Sequence, residues 1–288
     1  MAIIKHTGRR QNHSVAGDII LFAFLAVWGI FMILPFVYAI SNSLKPMEEL
    51  FIFPPKIFVR NPTIDNFAML LLRTNNMWVP LERYFLNSVF ISVVATFIGV
   101  VIAAMAAYPI AKFNFPGKRL FDQIITLSLL FVYDVTAVPQ YVILGSLKLL
   151  DSIWGVILPA IANTLGLYLM RQFITQIPNE LIEAAEMDGA GTWKQFWTII
   201  IPNTKPAWIT ATILMFQGIW NRDTSSIIYT ESLKNLPALF RQMTSTSTVA
   251  TMGMGAAIAV VLMIPPILVF VFSQSRMVET MTYSGMKG

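Results

Sequence analysis

The sequence predicts an all-α protein that crosses a membrane about six times. Of its 288 residues, 56% are hydrophobic and only 12% are charged, whereas soluble domains carry about 25% charged residues. The charges are also segregated, so that long stretches contain none. A helix needs about 20 apolar residues to cross a bilayer, and lipid allows only helices or closed barrels. These continuous runs therefore indicate membrane helices rather than the alternating strands of a barrel.

Six runs meet or approach the length of a span. Five of them contain no Asp, Glu, Lys or Arg: residues 19–44, 84–111, 152–170, 206–221 and 242–275. The remaining run, residues 122–148, has Asp134 as its only internal charge. The run at 206–221 is short, and residues 198–201 extend the apolar surface at its entrance. We therefore assign residues 17–276 to a transmembrane domain, residues 1–16 to an N-terminal tail and residues 277–288 to a C-terminal tail.

Composition also excludes several classes of function. The chain has no cysteine, which excludes disulfides, thiolate sites and palmitoylation. It contains no G-x-x-x-x-G-K-[ST] sequence, so it is not a P-loop ATPase. The only histidines, His6 and His13, lie in the polar N-terminal tail. We therefore expect no catalytic residues, no metal site and no cofactor bound by this chain, and we attribute the net charge of +5 to membrane orientation rather than to nucleic-acid binding.

The first run is a retained span, because it is too long for the apolar part of a secretory signal and lacks a clear cleavage site. Basic residues favour a cytoplasmic N-terminus. Three of them, Lys5, Arg9 and Arg10, precede the first run, and three more lie in the short second loop: Lys112, Lys118 and Arg119. Six spans then place both termini in the cytoplasm.

The most informative feature is residues 178–206, a polar segment between two apolar runs. Asn179 is placed to cap a first helix, with Glu180 and Glu183 near its positive end. Gly189 and Gly191 are placed to end that helix. A second short helix is expected to follow, and a polar helical unit at this position indicates a docking site.

The second half of the segment has its own pattern. Thr192 and Gln195 match a capping box at the start of the second helix. Four apolar residues share one face at helical spacing, and they are Trp193, Phe196, Trp197 and Ile200. Pro202 and Pro206 are expected to stop the unit before the next apolar run.

This segment resembles the Glu-Ala-Ala signature of the membrane subunits of ABC importers. The matching positions in register are Glu183, Ala184, Ala185, Gly189, Ile201 and Pro202. The longer form of carbohydrate permeases, of the maltose and glycerol-phosphate type, is matched as well, at Asp188, Gly189, Ala190, Phe196, Ile199, Pro202 and Pro206. The alternative is an amphipathic cytoplasmic hairpin that only links two spans.

The resemblance implies a type I ABC importer permease fold and a bacterial inner-membrane location. It implies a subunit that forms half of a pathway for oligosaccharides or related carbohydrates. The expected partners are a second permease subunit, two ATPase subunits that bind ATP and Mg, and an extracytoplasmic solute-binding protein. Residues expected to couple to the ATPases are Glu183, Ala184, Ala185, Asp188, Gly189 and Pro202.

Polar and aromatic residues in or beside the spans are candidates for the translocation pathway. Sugars stack on aromatic rings and bond to amides, and the candidates are Tyr133, Asp134, Asn163, Gln217, Trp220 and Asn221. Asp134 is the ionisable residue deepest in a span, where a charge is costly unless it faces a cavity or partner. The alternatives are a position near the outer surface for Asp134 and, for the others, helix–helix hydrogen bonds and interfacial aromatic packing.

Two outer loops and the tail complete the predictions. Residues 45–83 are expected to form turns and short interfacial helix rather than a domain. Residues 222–248 are expected to contact the binding protein, with Ser245 and Ser247 as probe positions, and the alternative is a loop that lies on the permease itself. The tail, which ends in Lys287 and Gly288 as in many carbohydrate permeases, is expected to help hold the ATPases.

Three alternative functions stay open at this point. An ABC importer permease for a non-sugar solute would carry the same signature. An ion-coupled secondary transporter would use Asp134 as its carrier site. An integral-membrane enzyme is the third, although no catalytic constellation supports it.

Overall fold

In the computed structural model, residues 15–76, 79–131, 133–245 and 249–284 are described, and every regular element among them is helical. The helices are α1 Val15–Ser43, α2 Met47–Leu50, α3 Asp65–Asn76, α4 Leu81–Lys112, α5 Lys118–Ser128, α6 Tyr133–Ser146, α7 Ile153–Ile161, α8 Thr164–Thr175, α9 Asn179–Met187, α10 Thr192–Gln195, α11 Ile201–Asn203, α12 Lys205–Trp220, α13 Leu236–Ser245 and α14 Val249–Ser284. A π-helical stretch, Phe196–Ile200, joins α10 to α11, and a 3₁₀ turn, Glu231–Leu233, precedes α13.

Four helical segments among the described residues are long and apolar enough to cross a bilayer. They are Gly17–Ser43, Leu81–Lys112, Ile153–Thr175 and Thr251–Gln274. The remaining apolar runs form shorter helices. At 16 residues, α12 is about 24 Å long, less than the ~30 Å hydrocarbon core. The prediction of an all-α polytopic membrane protein is confirmed, with four long spans and shorter apolar helices.

The third predicted span, residues 122–148, is not one continuous helix. It divides into α5, which ends at Ser128, and α6, which begins at Tyr133. No glycine or proline marks the break, so the sequence pattern alone does not show it. Asp134 therefore falls in the first turn of α6 rather than in mid-helix, and its side chain lies outside the described residues, as does that of Tyr133.

α4 is the central helix, and its small residues explain why. Gly99, Ala103, Ala104 and Ala107 are buried, which lets α7, α8 and α12 pack closely against it, as expected for small residues in membrane helices. A Cβ atom on Gly99 would lie 3.2 Å from the backbone oxygen of Ile161. Three clusters of buried apolar side chains lie along α4, and all three include side chains of α4 itself.

α1 differs from α4 because none of its most apolar stretch is buried within the chain. Large side chains such as Phe22, Val27 and Ile30 are more than 60% exposed. An apolar helix with so much exposed surface contacts lipid or another subunit. Within the chain, α1 packs against α14.

The junction of α1, α3 and α14 is held by one buried amide. Asn66, at the start of α3, donates its Nδ2 to the carbonyl oxygen of Ser43 at 2.9 Å and of Lys45 at 2.7 Å. These carbonyls lie at and just beyond the C-terminal end of α1, where backbone oxygens lack helical partners. Gly253 of α14 packs directly on the Asn66 amide.

The loop after α12 lies on the permease itself. Ile228, Leu236 and Leu239 are fully buried, and Asp151 accepts hydrogen bonds from the backbone of Tyr229 at 2.9 Å and Thr230 at 2.7 Å. Much of residues 222–245 therefore packs on the permease, and the expected contact with the binding protein stays a prediction. Their burial explains the length of the loop without a partner. Ser245 is exposed at the end of α13, and Ser247 lies outside the described residues.

Two carboxylates fasten this loop. Hydrogen bonds from Thr230 hold the pKa of Asp151 below its ordinary value. Burial acts to raise the pKa of Asp223, but hydrogen bonds from Ser225 and the Arg241 ion pair outweigh it and hold that pKa below its ordinary value. Because both pKa values are lowered on folding, each ionised carboxylate stabilises the folded state at pH values above its unfolded-state pKa. This stabilisation is lost as the pH falls through the folded-state values.

The C-terminal helix has no break at the predicted boundary between residues 276 and 277. α14 continues as one helix to Ser284. The side chains of residues 275–284 and the whole of residues 285–288 lie outside the described part. The expectation for the tail therefore stays a prediction.

Candidate docking site at residues 178–206

The predicted docking segment forms α9, α10, a π-helical turn and α11, and its start is held at one end of α4. The segment begins at Pro178, the N-cap of α9, and the first helical residue is Asn179. Asn179 therefore does not cap the helix. Its side-chain oxygen instead accepts a hydrogen bond from Lys112 Nζ at 2.9 Å, and Lys112 also donates to the carbonyl oxygen of Ile177. Thus the last residue of α4 fastens the chain just before α9.

α9 ends at Gly189, as predicted, in a Schellman motif. Gly189 has φ +75°, a left-handed conformation that glycine adopts at little cost. Its N–H donates to the carbonyl oxygen of Glu186 at 2.9 Å, and the Ala190 N–H donates to that of Ala185 at 2.8 Å. Gly191 lies outside this motif and is the N-cap of α10.

The exposed face of α9 is wide because few of its residues point inward. Ile182 is 7% exposed and is the buried residue of the helix. The exposed residues of α9 are Asn179, Glu180, Leu181, Glu183, Ala184, Glu186 and Met187, and Asp188 and Gly189 just beyond it are exposed as well. Met187 is 90% exposed. In the part of the chain that the structure describes, the Glu183 carboxylate has no hydrogen bond or ion pair. A helix turned outward in this way presents apolar and acidic groups to a partner.

The capping box predicted from Thr192 and Gln195 is wrong. Gly191 caps α10, and Thr192 is already its first helical residue. Gln195 is 2% exposed, and its side chain points into the protein. It accepts a hydrogen bond from Tyr108 Oη at 2.8 Å and donates to the carbonyl oxygen of Ala190 at 2.8 Å. A glutamine three residues after a threonine is compatible both with a capping box and with a buried side chain. Only the position of Tyr108 distinguishes the two.

The predicted single apolar face also divides in two. Phe196 and Ile200 are buried against α4, whereas Trp193 and Trp197 are 64% and 52% exposed. For Trp197 and Ile200, which lie within it, the π-helical turn Phe196–Ile200 changes the periodicity on which the prediction depends. An exposed pair of tryptophans at the end of a bundle is typical of a membrane interface.

Pro202 and Pro206 do not stop the unit. They lie in the first turns of α11 and α12, where proline is tolerated because the N–H it lacks would be unpaired. The helical path therefore continues into α12, with one irregular residue, Thr204, at φ −106° and ψ +17°. Of the predicted coupling residues, Ala185 is half-buried, and the other five are exposed: Glu183, Ala184, Asp188, Gly189 and Pro202.

The candidate pathway residues do not converge on one site. Asn163 caps α8 and accepts a hydrogen bond from the Gly166 N–H at 2.6 Å. Gln217 and Asn221 line a cleft of about 340 Å³ between α1, α12 and α14. Trp220 is 1% exposed and donates its Nε1–H to the carbonyl oxygen of Leu262 at 2.9 Å. Trp220 thus makes the helix–helix hydrogen bond that was set out as the alternative for it, and the pathway assignments stay predictions.

Comparison with known proteins agrees with this geometry. Residues 14–282 match the family described as "Binding-protein-dependent transport system inner membrane component". Protein LplC of Bacillus subtilis is 29% identical, over 98% of this chain and 99% of that protein. Diacetylchitobiose uptake system permease protein NgcG of Streptomyces coelicolor is 29% identical, over 88% and 84%.

Two further comparisons extend the match to another relative and to a solved fold. The sn-glycerol-3-phosphate transport system permease protein UgpE of Yersinia pestis is 33% identical, over 69% of this chain and 72% of that protein. A chain of a bacterial ABC transporter involved in the import of the acidic polysaccharide alginate superposes with a TM-score of 0.77. The two chains are 22% identical, and the match covers 91% of this chain and 98% of that one.

Proposed function

The chain belongs to the family of binding-protein-dependent transport system inner membrane components, and we propose that it imports a carbohydrate. In this proposal it is one of two permease subunits of an ATP-driven importer, and it forms half of the translocation pathway. Support comes from relatives named for diacetylchitobiose, for polygalacturonan and rhamnogalacturonan, and for sn-glycerol-3-phosphate. A multi-pass membrane subunit of this family is a transport component, so ATP hydrolysis belongs to a partner chain.

The outward face of α9 is the observation that carries the proposal. Ile182 and the bonded ends of the helix hold α9 in place, while Glu183 and Met187 remain uncovered. We place an ATPase subunit against this face, on the cytoplasmic side, with both chain termini on that side. The ATPase pair would bind ATP and Mg, and its closure would displace α9. The displacement has an effect only if the contacts differ between the two states of the pair.

Reconstituted uptake tests the proposal. The permease pair, the ATPases and the binding protein are placed in proteoliposomes, and uptake of radiolabelled oligosaccharides is measured with ATP inside. We expect uptake that stops with a non-hydrolysable ATP analogue and needs no ion gradient. Uptake that is driven by a proton or sodium gradient without ATPase would instead support a secondary transporter based on Asp134. ATP-driven uptake of a non-sugar solute alone would contradict the carbohydrate assignment.

The end of α13 offers a second test, of contact with the binding protein. Much of residues 222–245 packs on the permease, and Ser245 is exposed at the end of α13, where we place the contact with the binding protein. A photocrosslinker at Ser245 is expected to capture the binding protein in an ATP-dependent manner, as is one at Ser247. The matched control is Tyr229, which is exposed elsewhere on the same loop. No adduct at Ser245 or Ser247 in any nucleotide state, or equal capture at Tyr229, would contradict the contact.

The C-terminal tail gives a third test. Deletion of residues 283–288 removes the last two residues of α14 and the segment beyond. We expect normal membrane insertion but weaker retention of the ATPases during purification, because the tail is proposed to lie against them. A truncated permease that keeps its ATPases and its full transport rate would show that the tail has no such role.

A further inference from the structure

α4 is bonded at both of its ends, and it connects the docking segment to the outer loop. At one end, Tyr108 bonds to Gln195, and Lys112 bonds to Asn179. At the other end, Asn87 Nδ2 donates to the carbonyl oxygens of Ser232 and Lys234, both at 2.9 Å. Between these ends lies a continuous helix of 32 residues, about 48 Å long. α4 therefore spans the whole distance between the two regions.

The bond between Tyr108 and Gln195 is strong because it is buried. Tyr108 is 3% exposed and Gln195 is 2% exposed, so neither group can exchange its partner for water. A buried polar group left without a partner is costly. The ring of Tyr108 also packs against Phe196, with 6.1 Å between centroids. A displacement of the docking segment away from α4 would have to break these contacts together.

The direct chain connection into α12 is less regular. It runs through the π-helical turn Phe196–Ile200 and through Thr204, whose backbone leaves the helical region. π-helical turns and breaks of this kind are where helices bend. Motion of α9 can be absorbed along this path, whereas the bonds to α4 leave no such freedom.

The far end of α4 is fastened equally well. Tyr84 donates its Oη–H to Glu231 at 2.8 Å, and Ser88 Oγ accepts the N–H of Leu236 at 2.7 Å. Tyr84 and Ser88 are buried. The outer loop is therefore attached to α4 by side chains that cannot rearrange without unpaired polar groups. Whatever moves α4 also moves this loop.

We propose that α4 transmits the motion of α9 to the outer loop, and that Tyr108 and Gln195 are the positioning residues that couple α9 to α4. The proposal rests on the proposed function, because it needs an ATPase that displaces α9. It adds that the docking segment and α4 move as one rigid unit. α12, although next in the chain, moves relative to that unit.

Distance measurements between spin labels test the rigid unit directly. The chain has no cysteine, so a pair of introduced cysteines is unique. Met187→Cys with Ile102→Cys labels α9 and α4, and Met187→Cys with Leu214→Cys labels α9 and α12; each position is exposed. In the assembled importer, we expect the 187–102 distance to stay constant between the resting and ATP-bound states, and the 187–214 distance to change. A change in the 187–102 distance would overturn the proposal.

Substitution of the two positioning residues gives an independent test. Tyr108→Phe and Gln195→Leu keep the packing but remove the bond, and we expect sugar transported per ATP hydrolysed to fall about tenfold, as for a buried group left unpaired. Tyr168→Phe on α8 is the control, because the Tyr168 hydroxyl makes no hydrogen bond in the described part of the chain. Unchanged coupling in both variants would overturn the proposal. Absence of ATP-driven uptake in the unmodified importer would instead contradict the proposed function.

Discussion

Gly189→Val is expected to abolish most transport while the permease still inserts in the membrane. Gly189 has φ +75° at the end of α9, and a left-handed conformation costs an L-residue about 1–2 kcal/mol. The cost is greater for a β-branched side chain. The turn would therefore rearrange, which moves Ala190 and the Gln195 bond. ATP-driven uptake and retention of the ATPases on an affinity-tagged permease measure the effect, with an expected loss of about fivefold to thirtyfold.

A matched substitution at Gly189 separates the effect of the turn conformation from the effect of close approach by the ATPase. Asparagine tolerates the left-handed conformation, and an added Cβ at Gly189 meets no atom within 4 Å in the described chain. A small side chain at Gly189 therefore meets no clash within the described chain. Gly189→Asn should keep the turn, so any loss in that variant reports close approach of the ATPase. Glu183→Lys reverses an exposed charge and should weaken docking. Normal uptake and ATPase retention in both Gly189→Val and Glu183→Lys would contradict the docking assignment.

Gly253→Ala is expected to destabilise the junction of α1, α3 and α14. The new Cβ would overlap the buried amide of Asn66, with the side-chain oxygen well inside contact distance. Overpacking of a tight site costs about 1–3 kcal/mol, and displacement of the amide would also leave the carbonyl oxygens of Ser43 and Lys45 unpaired. Thermal unfolding in detergent measures the change, and each kcal/mol lowers the midpoint by about 2–4 °C in a chain of this size class.

Two comparisons check the physical cause of that loss. Gly218→Ala in α12 is the control, because its Cβ would meet no atom within 4 Å, and its midpoint should be unchanged or higher. In an Asn66→Ala background, Gly253→Ala should add little, since the overlapping group is gone. Equal midpoints for Gly253→Ala and the unmodified chain would contradict the predicted overlap between the new Cβ and the Asn66 amide.

The long apolar runs predicted the long helices well, because composition alone decides what can lie in lipid. Residues 19–44 and 84–111 correspond closely to α1 and α4. The break between α5 and α6 was missed, since the residues around it are as apolar as the helices on either side. In the same way, the loop after α12 looked long enough to reach a partner. Its burial depends on contacts with Ser88 and Asp151, which are far away in the sequence.

The docking segment was predicted from its glycines and acidic residues, and its internal geometry was not. Gly189 ends α9 because the left-handed turn is a local property that sequence reveals. Gln195 was assigned to a cap that does not form, because its partner Tyr108 lies in another helix. Trp197 and Ile200 are divided between surface and core within a π-helical turn that has no sequence signal of its own. Local conformation was therefore predictable, and tertiary hydrogen bonding was not.

Crosslinking at Met187 tests the central claim most directly. Met187 is 90% exposed on α9, and a photoreactive amino acid there disturbs no internal contact. In the assembled importer, we predict an adduct with the ATPase subunit at Met187 and none at Tyr229, which is exposed on the outer loop. An importer that is active but gives no ATPase adduct at Met187, or gives one at Tyr229, would contradict the assignment of α9 as the docking helix.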